Sequence, residues 1–390
     1  MIFLTISSFS FPKFLYIIDF FFFSLPYPFT ILYILSLVSA MFNVVSSSST
    51  YNVLSYGAVG NGNADDTLAF VRAWNDTCKD SDTPTMIIPE GNTFLVYPIT
   101  LLGPCNSSKI NVQLSGKIIA PDDPNDWKGK DFGEWLTFRY VNGLEVAGGG
   151  LLNGRGQAWW NISCKHHPGN ILRFEQCKNV KMRGIRTVQS GGCHLAFYGY
   201  GIHISHSSSV SINNSVIGSG DDCISMLDRS YNISITYVHC GHGHGISIGS
   251  LDGDGIDVKN ITISNVNFYN TTNGARIKTW PDGSGEVPYV KFSNINFTEV
   301  QNPIIIGQHY GKIAPKSRIH ISEIRYHRLY GTSKTPVAIN FNCSDRVPCT
   351  NISLENIGLT SATSGDEVVS SCNNAFGHAN GNVKPKSCLQ

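Results

Sequence analysis

Val180-Lys181-Met182-Arg183-Gly184-Ile185, Ile261-Thr262-Ile263-Ser264-Asn265-Val266 and Val290-Lys291-Phe292-Ser293-Asn294-Ile295 share one pattern: apolar, polar, apolar, two polar or small residues, apolar. Alternation of period two marks a strand with one buried face. The pattern also starts at Val210, Ile233, Ile319 and Ile352, so successive starts lie 30, 23, 28, 29, 29 and 33 residues apart. A repeat of that length marks a solenoid. No helical pattern of useful length intervenes, which argues against βαβ units. The fold class expected is all-β, a parallel β-helix of short strands and turns. A β-propeller is the next candidate, but its blades need longer periods.

A solenoid needs capped ends. Asp65-Asp66-Thr67-Leu68-Ala69-Phe70-Val71-Arg72-Ala73-Trp74 reads as a short amphipathic N-terminal capping helix. Asp65 or Asp66 can accept the free N–H groups of its first turn. Leu68, Phe70, Val71 and Trp74 would then cover the open end of the core. Abundant Gly, Ser and Asn with only 15% charged residues suit many short strands and tight turns. A net charge of +1 supplies no broad basic surface, so a nucleic-acid partner is not expected.

The chain divides into a hydrophobic leader, residues 1–48, and one β-helix domain, residues 49–390. Apolar blocks Phe14 to Leu25 and Phe29 to Val45 are split by Pro26 and Pro28 and interrupted by Asp19. Neither reaches the roughly 18 apolar residues of a spanning helix. Val38-Ser39-Ala40 offers a small-residue cleavage site, so a secretory signal is expected, with no integral membrane association once it is removed. A retained anchor is the alternative. Sequons at Asn75, Asn106, Asn161, Asn213, Asn232, Asn260, Asn270, Asn296, Asn342 and Asn351 fit an extracellular protein. Eleven cysteines point to disulfides in an oxidising compartment. Local pairs are Cys78–Cys105, Cys223–Cys240, Cys343–Cys349 and Cys372–Cys388; of Cys164, Cys177 and Cys193, one is left over if the other two join. No CxxC pair or His cluster has metal-ligand spacing, so no cofactor or metal is expected. With both ends capped the domain has no evident need to associate, and a monomer is expected.

Two stretches one repeat apart carry the chemistry: Gly218-Ser219-Gly220-Asp221-Asp222-Cys223 and Gly241-His242-Gly243-His244-Gly245. Asp221 lies 11 residues after Val210, and His244 lies 11 after Ile233. Equal offsets in consecutive repeats mean one column if the repeats stack about 4.8 Å apart. Arg276-Ile277-Lys278 follows in the next repeat, and residues two apart face the same way in a strand. The glycines around His244 would keep bulk away from a large substrate. Carboxylates, an imidazole and a cationic pair suit hydrolysis of a glycosidic bond in an anionic sugar polymer: one acid protonates the leaving oxygen, another carboxylate activates water. Close carboxylates disfavour joint ionisation, which supplies the acid. Arg276 and Lys278 would hold a substrate carboxylate. Trp280 and Tyr310 would flank the sugar. Calcium-dependent elimination is a third reading, but no carboxylate cluster has calcium-ligand spacing.

Gly220-Asp221-Asp222-Cys223, Cys240-Gly241-His242-Gly243-His244-Gly245-Ile246-Ser247-Ile248-Gly249-Ser250 and Arg276-Ile277-Lys278 resemble the plant polygalacturonases, pectinase-group glycoside hydrolases. Tyr56-Gly57-Ala58, Gly154-Arg155-Gly156 with Trp159-Trp160, and Asn302-Pro303-Ile304-Ile305-Ile306 leading to Tyr310 match as well. The resemblance runs from about Tyr51 to the C-terminus. It implies a right-handed parallel β-helix, secretion to the plant cell wall and inverting hydrolysis of α-1,4-linked galacturonan. It further implies Asp221 as general acid, Asp222 in water activation, His244 as auxiliary acid/base, and Arg276, Lys278 and Tyr310 in substrate binding.

One departure stands out. The resemblance implies another acid, in an Asn-Thr-Asp-Gly motif one coil before the Asp-Asp pair. Here Tyr200 stands in its place, and His194-Leu195-Ala196-Phe197-Tyr198 runs almost directly into Gly201-Ile202-His203. One solenoid turn is expected to be missing there. A tyrosine, with a reference pKa near 10, is a poor base at wall pH, so impaired hydrolysis, or a catalytically inactive pectin binder, is the corresponding expectation.

Overall fold

The computed structural model describes residues 48–127, 134–156, 170–189, 201–309 and 317–390. The leader up to residue 47, Trp159, Trp160, Asn161, Cys164, Cys193, Tyr200 and Tyr310 lie outside the described residues. The chain winds as the expected right-handed parallel β-helix, and the ladder pairings along the repeats are parallel.

The repeats stack in the register that their pattern implies. Val180, Val210, Ile233, Ile261, Val290, Ile324 and Ile352 follow one another rung by rung, all buried. Two residues on, Met182, Ile212, Ile235, Ile263, Phe292, Tyr326 and Leu354 form a second inward column. Each such side chain contributes about 1.5–3 kcal/mol by leaving water. Phe292 and Tyr326 stack at 5.2 Å, as do Phe268 and Phe297 at 5.5 Å. The sixth repeat corrects the expected start. Its rung begins at Ile324, whereas Ile319 pairs with Gly285, because the strand Arg318–Ser333 is long enough to hold the apolar pattern twice.

Each rung is entered through a left-handed residue just before its first apolar position: Asn179, Ser209, Asn232, Asn260, Tyr289, Glu323 and Asn351 have φ between 53° and 61°. Asparagine tolerates that region better than most residues, which explains why Asn is so common at these corners. Three of them, Asn232, Asn260 and Asn351, are also sequons.

A second sheet of ten strands runs in chain order: Ile99–Leu102, Glu134–Arg139, Asn170–Glu175, Ile202–Ser205, Ile224–Met226, Ile246–Leu251, Asn273–Thr279, Asn302–Gly307, Val337–Asn342 and Val369–Asn373. At the place where a turn is expected to be missing, Leu172 pairs directly with Ile202 and Val180 with Val210. The strands Asn170–Glu175 and Lys178–Arg183 are thus on rungs adjacent to Ile202–Ser205 and Ser208–Ile217.

The cap forms as the helix Thr67–Lys79, which buries Ala69, Phe70, Ala73 and Trp74. Phe70 packs edge-on to Phe94 at 5.5 Å, and Trp74 to Phe138 at 5.3 Å. Leu68 does not join them: it is 57% exposed, one position off the buried face. The four expected local disulfides are present, and Cys177 is a buried free thiol. Burial pushes Cys177 up to about 11, so it is not a thiolate at physiological pH. No helix among the described residues is long and apolar enough to cross a membrane.

Candidate active site

Asp221 and Asp222 lie in the turn between the strands Ser208–Ile217 and Ile224–Met226. The Cys223–Cys240 disulfide ties this turn to the next coil. His244 occupies the matching place one rung on, so the equal offsets do define one column. Its backbone N–H donates to Asp221 O at 2.6 Å, and its Nδ1 lies 2.8 Å from Asp221 Oδ1. Lys278 reaches across from the following coil: Nζ donates to Asp222 Oδ2 at 2.7 Å. Ser247 Oγ donates to Asp222 Oδ1 at 2.6 Å. Asp221, Asp222, His244 and Lys278 are all buried, at 3%, 0%, 8% and 2% exposure.

The two adjacent acids are driven apart. Burial pushes the Asp221 carboxyl up, but the His244 hydrogen bond and the Lys278 and His244 charges outweigh it and hold Asp221 below the ordinary carboxylate range. Burial also pushes Asp222 up, and Asp221's charge adds to it. Lys278 and Arg276 only partly offset this, so Asp222 sits above the ordinary range. A direct ammonium contact would normally depress an acid; here complete burial outweighs it.

Lys278 and Arg276 differ in placement. Lys278 is enclosed and engaged with Asp222, whereas Arg276 is half-buried and pairs in register with Ser247. Trp280, half-buried, begins the turn after Thr279, its N–H donating to Leu251 O. Tyr310 lies outside the described residues. The glycines have another use than clearing space for substrate. A Cβ at Gly243 would meet Asp221 O at 2.6 Å, and one at Gly245 would meet Asn273 O at 2.1 Å. They let neighbouring coils close on the site, which the sequence reading missed.

Ser247, Ser225 and His203 are further site residues missed in the sequence. Arg173, His203, Ser225, Ser247 and Arg276 are rung partners along the ten-stranded sheet. His203 Nδ1 lies 2.9 Å from Ser225 Oγ. Burial first, then the Arg173 and Lys278 charges, push His203 down to about 3 against the pull of Asp221. The ring is therefore neutral at any physiological pH. The signal available was the repeated polar residue between two apolar ones in Ile202-His203-Ile204, Ile224-Ser225-Met226 and Ile246-Ser247-Ile248.

Ligand atoms of Asp221, Asp222 and His244 lie within 4.8 Å of one another, close enough to hold a metal ion. The donor set does not favour one. Both Asp222 oxygens are already bonded, and the Lys278 ammonium occupies the cationic position beside them.

Paired acids split in proton affinity, an imidazole on one and an ammonium on the other, are the groups that acid/base chemistry needs, gathered on one face of a β-helix. The sequence profile of glycosyl hydrolases family 28 matches residues 78–200 and 198–388. The chain belongs to this family, within the polygalacturonase type of glycoside hydrolase. Polygalacturonase QRT2 of Arabidopsis thaliana is 36% identical over 374 residues, covering 87% of this chain and 84% of that protein. Polygalacturonase-2 of Solanum lycopersicum is 36% identical over 357 residues, covering 83% and 77%. Among solved structures, endo-xylogalacturonan hydrolase from Aspergillus tubingensis superposes with a TM-score of 0.67 at 22% identity, over 85% of this chain and 100% of that one, a likeness of fold.

Proposed function

We propose that this chain is a secreted plant cell-wall hydrolase that cleaves α-1,4-galacturonosidic bonds of pectin with inversion. The observation that carries the reading is the pair of contacts Asp221–His244 and Asp222–Lys278 on adjacent acids. Family membership supports a pectin-degrading glycoside hydrolase.

Asp221, hydrogen-bonded to His244 Nδ1, passes a proton to the glycosidic oxygen as the bond to the anomeric carbon breaks. Asp222 takes the proton from water as the water oxygen bonds to that carbon. Its raised affinity makes it the better base of the two, while Ser247 and Lys278 fix the carboxylate. Arg276 holds the substrate carboxylate, and Tyr310 also binds substrate. Lys278 contributes charge to the same subsite from its bond to Asp222. No cofactor enters these steps, and the protein works as a monomer on polygalacturonate.

Inversion is the least secure step in geometry. The two acids' nearest atoms lie within 4.8 Å, whereas inverting pairs usually stand roughly 6.5–9.5 Å apart. Water must then sit beside the pair rather than between its members. Proton NMR of the first product released from polygalacturonate decides this: β-anomer first supports inversion, and α-anomer first refutes it.

A second reading, a catalytically inactive pectin-binding wall protein, is favoured by one observation. The family match breaks into two segments that meet at residues 198–200, where Tyr200 stands in place of an expected aspartate. Reducing-end release at acidic pH separates the readings. Turnover supports the hydrolase, whereas polygalacturonate binding by a folded protein without turnover supports the binder.

A further inference from the structure

Two and three rungs before the strand that follows the Asp-Asp pair, the ten-stranded sheet carries a second charged cluster that no step above uses. Glu134 accepts from Arg139 Nη2 at 3.1 Å and from Arg173 Nη1; Glu175 accepts from Arg139 Nε at 2.8 Å and lies 3.4 Å from Arg173 Nη2. The cluster is balanced in charge but not in depth. The arginine side chains are 22% and 29% exposed, the glutamates 13% and 18%. The arginines are thus the more exposed members of the cluster. A guanidinium has five N–H donors, so the ion pairs of Arg173 through Nη1 and Nη2 leave further N–H groups on those two nitrogens, while its Nε is buried without a partner among the described residues.

Arg173 is also in line with the site. It pairs with His203, which pairs with Ser225, then Ser247, then Arg276. Both arginines alternate with core residues, Leu172 and Phe174 on one strand and Ala275 and Ile277 on the other, so both face outward. Four strand spacings of about 4.8 Å put them roughly 19 Å apart, with Asp221, Asp222 and His244 between their coils. His203 cannot serve as the cation in between, because it is buried and hydrogen-bonded to Ser225.

We propose that Arg173, backed by Glu134 and Glu175, is a second anion subsite of the cleft, binding the carboxylate of a uronate several sugar rings away from the one held by Arg276. This rests on reading the cleft as a polyuronate site. The subsite takes an unesterified uronate, since a methyl ester offers a guanidinium no anionic partner. It makes the cleft favour long, de-esterified stretches that extend past the catalytic coil on both sides.

The test measures binding, so it does not depend on turnover. Asp221→Asn protein is titrated with long and short galacturonate oligomers and with highly methyl-esterified pectin. Adding Arg173→Gln is expected to weaken long-oligomer binding roughly tenfold, leave the shortest oligomers unaffected, and leave methyl-esterified pectin unaffected. Arg173→Lys, which keeps the charge and the fold of the cluster, should fall between. Equal affinity of the Arg173→Gln and Arg173→Lys proteins for long oligomers, matching the parent, overturns the subsite while leaving the polyuronate reading intact. Uniform weakening for every ligand, esterified included, also overturns it, because it marks a general structural effect. Failure of the Asp221→Asn parent to bind any galacturonate oligomer overturns both.

Discussion

Two of the chain's three Asp-Asp pairs, Asp65-Asp66 at the cap and Asp221-Asp222 in a glycine-rich turn, do opposite work. At the N-terminal cap, Asp65 Oδ1 accepts from Thr67 N–H at 2.9 Å, and Asp66 accepts from Val59 N–H at 2.6 Å and Gly60 N–H at 3.2 Å. All partners there are backbone donors. Of the two acids expected to serve the helix's first turn, Asp65 accepts the first helical N–H, while Asp66 ties the preceding loop. In the glycine-rich turn, Asp221 and Asp222 take a histidine, a lysine and a serine side chain from later coils. Backbone partners fix a carboxylate as a structural tie. Titratable partners arriving from other coils give it a proton to trade. A dipeptide motif alone does not distinguish the two; what stacks beside it does.

Breaking the catalytic side of this comparison should have the largest effect. Lys278→Met leaves Asp222 buried without its cation, and loss of one partner of a buried pair costs about 3–5 kcal/mol. Denaturant unfolding should show that loss together with a collapse of turnover. A surface role for Lys278 would show neither.

His203 sharpens the comparison through pH. Its folded-state pKa lies near 3, below the unfolded value of 6.5, so between those values the unfolded chain binds the extra proton. Stability should fall as pH drops through 6.5 and go on falling until about 3, by a few kcal/mol in order of magnitude. Asp221, held low, adds to the loss at the acid end; Asp222, held high, opposes it. Thermal melting of His203→Gln should show a flatter acid limb than the parent. An unchanged limb would mean the ring is not kept neutral by the fold.

Tyr200→Asp asks whether the catalytic pair lacks a helper. It should raise kcat on polygalacturonate by about tenfold or more, at the low end of what a positioned base contributes. No gain in a folded variant would mean that Asp222 suffices. The smallest effect belongs to the cap: Asp66→Ala strands two backbone donors and should cost about 1–3 kcal/mol, read as a lower melting temperature with turnover per folded molecule unchanged.

Much of this was legible in the sequence because the solenoid repeats its own register. Once Val210 and Ile233 are rungs, Asp221 and His244 must share a column. The offset survives because both coils turn at the same residue count. What escaped reading came from contacts between coils rather than within one. Nothing in Arg276-Ile277-Lys278 says that the lysine turns inward to Asp222 while the arginine stays at the surface. Ser247 and His203 each sit between two apolar residues, and only the stacking of coils brings them to Asp222 and Ser225. Gly243 and Gly245 looked like room for a ligand, yet they are room for a neighbouring backbone. Ile319 and Leu68 failed for a simpler reason: a long strand holds two copies of the apolar pattern, and a short helix has apolar residues off its buried face.

The most direct measurement pairs Asp221→Asn with Asp66→Asn in one assay of reducing-end release from polygalacturonate at acidic pH, each normalised to folded protein. Asp221→Asn should lose at least about a hundredfold in kcat with an unchanged fold, while Asp66→Asn should keep its kcat. A folded parent without turnover, or an Asp221→Asn protein as active as the parent, would contradict the assignment of the Asp221–His244 and Asp222–Lys278 pairs as the hydrolytic centre.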